Sequence, residues 1–123
     1  MNPFTYIKFK EDMLEAVQRF VIDTDYFIKT IDDSSIVLSN NKKNIIFYLE
    51  ASSLNSEIKN IDDTAHFAIY ELFDRENIMF KYPSTKIPDN LTIEEYSKFY
   101  EEWNKKKVIT ILGVLMTNLK KYI

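Results

Sequence analysis

Between Lys43 and Glu50 the sequence runs Lys-Asn-Ile-Ile-Phe-Tyr-Leu-Glu, with an unbroken apolar stretch from Ile45 to Leu49. In a strand, successive side chains alternate between faces, so Ile45, Phe47 and Leu49 point one way and Ile46 and Tyr48 the other. A strand apolar on both faces belongs in the middle of a sheet, where something covers each side. This requires strands on both flanks and at least one further layer of structure. A chain of 123 residues with no linker composition supports one domain, 1–123. At that size roughly two thirds of the unfolded chain's surface is buried on folding, so no disulfide or metal is needed to hold the core.

The neighbouring segments supply the flanks. Tyr26–Ile31 and Ser35–Ser39 are short and rich in Ile, Val, Phe and Tyr, and Asp32-Asp33 and Asn40-Asn41 punctuate them as tight turns. Asn55–Asn60 reads as a polar edge strand, and Ala65–Phe73 as a further strand whose Ala, Glu and Leu content also fits a helix. Ahead of the strands, Tyr6, Phe9, Met13, Val17 and Phe20 recur at steps of three and four, which predicts a helix from Pro3 or Lys8 to Val21, with Asn2 and Pro3 as candidate cap and first-turn proline. Lys81–Asn90, with Pro83 and Pro88, predicts a long loop. It ends at Thr92, where Glu95 three residues on completes a capping box. Beyond it the apolar positions from Tyr96 to Leu119 keep helical spacing as one bent helix or two. Gly113, the only glycine, costs about 1 kcal/mol inside a helix, and a close helix crossing is the expected compensation. The resulting class is α+β: an N-terminal helix, an antiparallel meander sheet of four or five strands, and a C-terminal helical region packing on the sheet.

Bond-making chemistry has few residues to work with. One glycine excludes phosphate cradles and nucleophile elbows, which use glycine where backbone must approach a ligand or take a positive φ. The absence of cysteine removes thiol nucleophiles, thiolate metal sites and disulfides, and fits a reducing compartment. His66, the only histidine, lies between Ala65 and Phe67 with no serine in a sharp turn as its partner, and reads as a structural or surface residue. Glu57-Ile58-Lys59 downstream of Asp32-Asp33 has the residue types of a metal-dependent nuclease, in which carboxylates hold the ion and a lysine polarises water. The segment lacks the basic surroundings that a nucleic-acid substrate requires. Asn90-Leu91-Thr92 fits a glycosylation sequon, and the capping role of Thr92 is the simpler reading. The expectation is therefore a non-enzymatic protein with no catalytic residue, no cofactor and no metal.

Charge and hydropathy direct attention to binding. The net charge of −3 is uneven: from Glu50 to Glu76, the acids Glu50, Glu57, Asp62, Asp63, Glu71, Asp74 and Glu76 face only Lys59 and Arg75, a local charge of −5. Nucleic acid is a poor partner for such a surface, and a basic protein a good one. Lys8, Lys10, Glu11 and Asp12 interrupt any signal-peptide core, so a cytoplasmic location is expected. The longest apolar run, Val108–Met116, is far below the roughly 20 residues of a membrane-spanning helix. Asp62, Asp63, Tyr70, Glu71, Asp74 and Glu76, acids grouped around an aromatic, are the candidate partner-binding residues. The aromatics Tyr96, Phe99, Tyr100 and Trp103 occupy two sides of the C-terminal helical region, one for the core and one for a second candidate patch.

In size, acidity, lack of cysteine and the order of a helix followed by meander strands such as Ser35-Ile36-Val37-Leu38 and Asn44–Glu50, the chain resembles the small immunity proteins of bacterial contact-dependent and polymorphic toxin systems. The resemblance is one of overall form and carries no diagnostic motif. It implies a cytoplasmic protein that binds a cognate toxin domain, often a nuclease, and occludes its active site or substrate groove. A small acidic secretion chaperone that wraps an extended client segment as a homodimer is the alternative. Monomer and homodimer are both compatible with the sequence.

Overall fold

The computed structural model describes residues 6, 8–50, 53–78 and 90–123. Helix α1 (Phe9–Asp23) leads into β1 (Phe27–Ile31), β2 (Ser35–Ser39), β3 (Lys43–Glu50), β4 (Ser53–Asn60) and β5 (His66–Ala68). Helices α2 (Ile69–Arg75) and α3 (Ile93–Thr117) follow, and a 3-10 turn, Lys120–Tyr122, ends the chain. The strands form one five-stranded sheet in the order β1-β2-β3-β4-β5, each antiparallel to its neighbour. The α+β meander expected from the sequence is thus the observed fold, with β3 at its centre.

The turns follow from their side chains. Asp32 Oδ1 accepts from the amides of Ser34 and Ser35 at 2.8 Å each, and these bonds, with those from the serine hydroxyls, hold its carboxyl below the usual aspartate range. Asn40 Oδ1 accepts from the amides of Lys42 and Lys43, while Asn41 takes a left-handed φ of 67°, which asparagine tolerates better than most residues. Asp62 accepts from Thr64 in the β4–β5 turn, and Asp63 there is left-handed at 60°.

One face of the sheet is the core. Ile36 and Leu38 of β2, Ile45 and Phe47 of β3, and Leu54 and Ile58 of β4 align across the register on a single side. They form one buried cluster with Phe9, Met13, Val17 and Phe20 of α1, Ile69, Leu72 and Phe73 of α2, and Val108, Ile111, Leu112 and Leu115 of α3. Cross-links fix α3 in this layer: Lys105 pairs with Glu15 of α1 at 2.8 Å, Lys107 donates to the Leu54 carbonyl at 2.7 Å, and the Tyr6 hydroxyl donates to the Glu101 carbonyl at 3.0 Å. Burial depresses the Lys107 ammonium, and the carbonyl bond meets one of its donors.

Several expectations need correction. Asn55–Asn60 is no edge, because β4 pairs with β3 on one side and β5 on the other. The stretch 65–73 is neither all strand nor all helix. His66, Phe67 and Ala68 pair with β4, and the chain then turns helical because Ile69, Leu72 and Phe73, at i, i+3 and i+4, are all buried by α-helical spacing. Of the two readings of the C-terminal region, one helix or two, the single helix holds over 25 residues, with Lys105 and Lys107 partnered within it. Its start is as expected, with Thr92 Oγ1 accepting from the Glu95 amide at 3.1 Å and the Glu95 carboxylate reaching back to the Thr92 amide. α1 begins at Phe9 and ends at Asp23, two residues beyond Val21. The expected roles of Asn2 and Pro3 lie outside the described residues, as does nearly all of the loop expected over 81–90.

Among the described residues Gly113 has no crossing partner: a Cβ there would meet nothing within 4 Å. Gly113→Ala is therefore expected to raise stability by about 0.5–1 kcal/mol, the usual helix-interior difference. Phe47→Ala, at the fully buried centre of the sheet, is expected to lower it by about 3–5 kcal/mol. Urea unfolding of both variants checks the signs.

Candidate functional site

The acidic middle of the sequence folds into β4, β5, α2 and the turns around them, and the structure divides its carboxylates into two kinds. Some are occupied internally. Asp62 caps Thr64, whose hydroxyl and amide hold its carboxyl below the usual aspartate range. Asp63 pairs with Lys59 at 3.6 Å. Glu76 accepts from Lys121 Nζ at 2.7 Å and from the Tyr122 hydroxyl at 2.6 Å, which ties the end of α2 to the C-terminal turn. These bonds, the lysine's foremost, lower the Glu76 carboxyl from its ordinary value. Glu71 and Asp74 are different: both are exposed on α2, and neither makes an ion pair among the described residues.

Tyr70, at the start of α2, is 61% exposed. Helical geometry explains this: with Ile69, Leu72 and Phe73 turned to the core, Tyr70 and Asp74 one turn later lie on an outer flank. Arg75 leaves by the opposite flank and stacks on the Phe67 ring at 4.7 Å. Of the six residues expected to bind a partner, Tyr70, Glu71, Asp74 and Glu76 share α2 and its C-cap, and Asp62 and Asp63 sit apart on the β4–β5 turn.

The second face of the sheet adds residues that the sequence reading did not single out as a site. Thr30, Val37, Ile46, Glu57 and Ala68 form a row across all five strands. Beside it lie Ser35, Tyr48 and Asn55, and on its other side Phe27, Ser39, Asn44, Lys59 and His66. Val37, Ile46 and Tyr48 are half-buried and belong neither to the core cluster nor to the apolar side chains packed against it. Phe27 is 42% exposed. The Tyr48 hydroxyl is raised above its ordinary value by burial first, then by the carboxylates of Glu57 and Glu50, with Tyr70 also within electrostatic reach. Tyr48, Glu50, Glu57 and Tyr70 are therefore neighbours on this outer face. The signal was present in the alternation of β3, where Ile46 and Tyr48 demand cover. Among the described elements, the helices that bury residues in the core do so on the Ile45–Phe47 side alone.

His66 Nε2 meets Glu57 Oε2 at 2.5 Å on the same face, with the imidazole side chain 59% exposed. Glu57 and Lys59 are thus engaged by His66 and Asp63, while Asp32 and Asp33 lie at the β1–β2 turn across the sheet, Asp33 paired with Lys10. The fold does not bring the nuclease-like residues together. Among the described residues no group of three or more His, Asp or Glu side chains is placed to hold a metal ion, and no helix is long and apolar enough to cross a membrane. In α3, the Tyr96 and Tyr100 rings meet tilted with centroids 4.7 Å apart and the Tyr96 hydroxyl donates to that of Tyr100, while Tyr100 meets Trp103 edge-on, all half-buried.

The Glu76 bonds set a pH signature. A carboxyl whose value is lower in the folded state contributes stability that is complete above the ordinary glutamate range and is lost as pH falls through the folded value. The difference in Tm between the parent chain and Glu76→Gln is therefore expected to be largest near pH 6–7 and to shrink towards pH 3, measured by thermal unfolding across that range. Compared with protein-family models, curated proteins and solved structures, the chain matches none.

Proposed function

We propose that this chain works by binding a protein, as an immunity protein that neutralises a cognate bacterial toxin domain by covering its active site or substrate groove. The observation that carries the reading is an acidic and aromatic surface left over after folding: Tyr70 stands exposed on α2 beside Asp74 and Glu71, next to Tyr48, Glu50 and Glu57 of the sheet. Large aromatics dominate the centres of interfaces, and carboxylates around them steer a basic partner and set its orientation. A nuclease toxin has a basic groove and fits this surface in sign. The place of action is the cytoplasm, where an immunity protein meets its toxin.

The acids contribute unequally in this reading. Asp62 and Asp63 help to steer, being exposed on their turn, while Glu76 serves the fold through Lys121 and Tyr122. A second reading, a small acidic chaperone that dimerises, draws on a different surface. Along α1, Leu14 and Ile22, the latter 72% exposed, border a shallow apolar groove with Val21 and Ile28. Mass in solution separates the two: a monomer supports the immunity reading and a stable dimer the chaperone.

The test begins with the product of the gene adjoining this one. Co-expression is expected to relieve that product's toxicity and to yield a complex that co-purifies. Reversing charge at Asp62, Asp63 and Asp74 together is expected to slow association about tenfold or more at low salt and to flatten its salt dependence. Stopped-flow association rates at several ionic strengths measure both. Turnover of a substrate by the purified chain, lost on changing one of its own side chains, would overturn the reading.

A further inference from the structure

We infer that the outer face of the sheet, centred on Val37, Ile46 and Tyr48, is where the partner docks, and that the partner presents lysine or arginine side chains around an apolar centre. The inference rests on the proposed reading of the chain as a protein-binding module and places the centre of its surface on the sheet rather than on α2.

The argument starts at β3. Its inner side chains, Ile45 and Phe47, are fully buried under α1 and α3, whereas Ile46 and Tyr48 are outside that core. With Val37 beside Ile46 in the register, Phe27 at one border and Tyr70 at the other, they make an apolar and aromatic band across the sheet. The Phe27 end of this face is closed, with Ser39 and Asn44 buried, while Val37, Ile46 and Tyr48 are half-buried and Tyr70 is exposed, and apolar and aromatic surface that stays partly in contact with water marks an interaction surface. The sheet edges are poor alternatives. β1 carries a bulge between Ile28 and Thr30 that takes Lys29 out of the pairing, and β5 is only three residues long. Bulges, lysines and short strands are the usual means of blocking strand addition, so docking falls to the face.

Charge selects the occupant. Glu50 and Glu57 border Tyr48, Glu57 being held by His66, Asp74 lies one turn along α2 from Tyr70, and Lys59, the lysine that β3 to β5 place on this face, is paired with Asp63. A second copy of this chain would bring the same carboxylates against one another, and like charges brought together at an interface are repelled. A cation suits the site twice over, through the carboxylates and through the faces of Tyr48 and Tyr70.

The full-length chain, labelled with nitrogen-15 and titrated with a peptide of alternating arginine and tryptophan, reads the site directly by NMR. Amide shifts are expected at Val37, Ile46, Tyr48, Glu57, Ala68 and Tyr70. Tyr70→Ala and Glu50→Lys, both at exposed positions, are each expected to weaken the peptide about fivefold to tenfold while leaving the spectrum folded. Shifts confined to the Asp62–Asp63 turn, to α1 or to α3 would overturn the inference. So would the same face shifting with protein concentration alone, which would mean that a second copy occupies it. The two proposals fail separately. A cognate toxin that binds Tyr70→Ala and Glu50→Lys as tightly as the parent refutes the face and leaves the immunity reading standing. Peptide shifts on the face without any toxin partner do the reverse.

Discussion

Burial of Ile45 and Phe47 at the centre of the sheet is the interaction on which the rest of this protein depends. These side chains are completely enclosed, and every described helix contributes to the cluster around them: α1 through Phe9, Met13, Val17 and Phe20, α2 through Ile69, Leu72 and Phe73, α3 through Val108, Ile111, Leu112 and Leu115. Because a strand alternates, fixing these residues inward fixes Ile46 and Tyr48 outward, and a slip of one residue would exchange the two sets. The same constraint that builds the core therefore leaves an apolar and aromatic band on the opposite side. The core and the outer band are two consequences of one strand.

Electrostatics divides along the same line. The carboxylates most firmly held, Asp32 and Asp62 in their turns and Glu76 at the close of the chain, serve backbone geometry or hold elements together. Those on the flank of α2 and along the outer face, Glu71, Asp74 and Glu50, stay exposed. Exposed ion pairs such as Lys10–Asp33 and Arg19–Asp23 add little to stability, and the exposed carboxylates of α2 and the outer face set a negative field around them.

Much of the fold was legible from local chemistry. The punctuation at Asp32-Asp33 and Asn40-Asn41, the capping box at Thr92 and the helical spacing from Phe9 to Phe20 all reflect interactions within a few residues, and all appear in the structure. What could not be read depended on distant partners. β4 looked like an edge because its own composition is polar, yet three residues of β5 pair with it. Gly113 suggested a crossing that no described element makes, and the spacing around Lys105–Lys107 fitted one helix or two, a choice that depends on their distant partners Glu15 and the Leu54 carbonyl. The candidate site was legible in part. The acids and Tyr70 could be found by counting charge, but not which carboxylates the fold would occupy, nor that Tyr48, Glu50 and Glu57 would meet Tyr70 on one face.

The proposal that the outer face of the sheet is the working surface is tested most directly by carboxyl footprinting of the chain alone and with its captured partner. Carbodiimide labelling read by mass spectrometry should fall at Glu50, Glu57 and Asp74 on complex formation and stay unchanged at Glu94 and Glu102, exposed acids of α3. Protection of the α3 acids, with Glu50, Glu57 and Asp74 labelled as fully as in the free chain, would contradict the account.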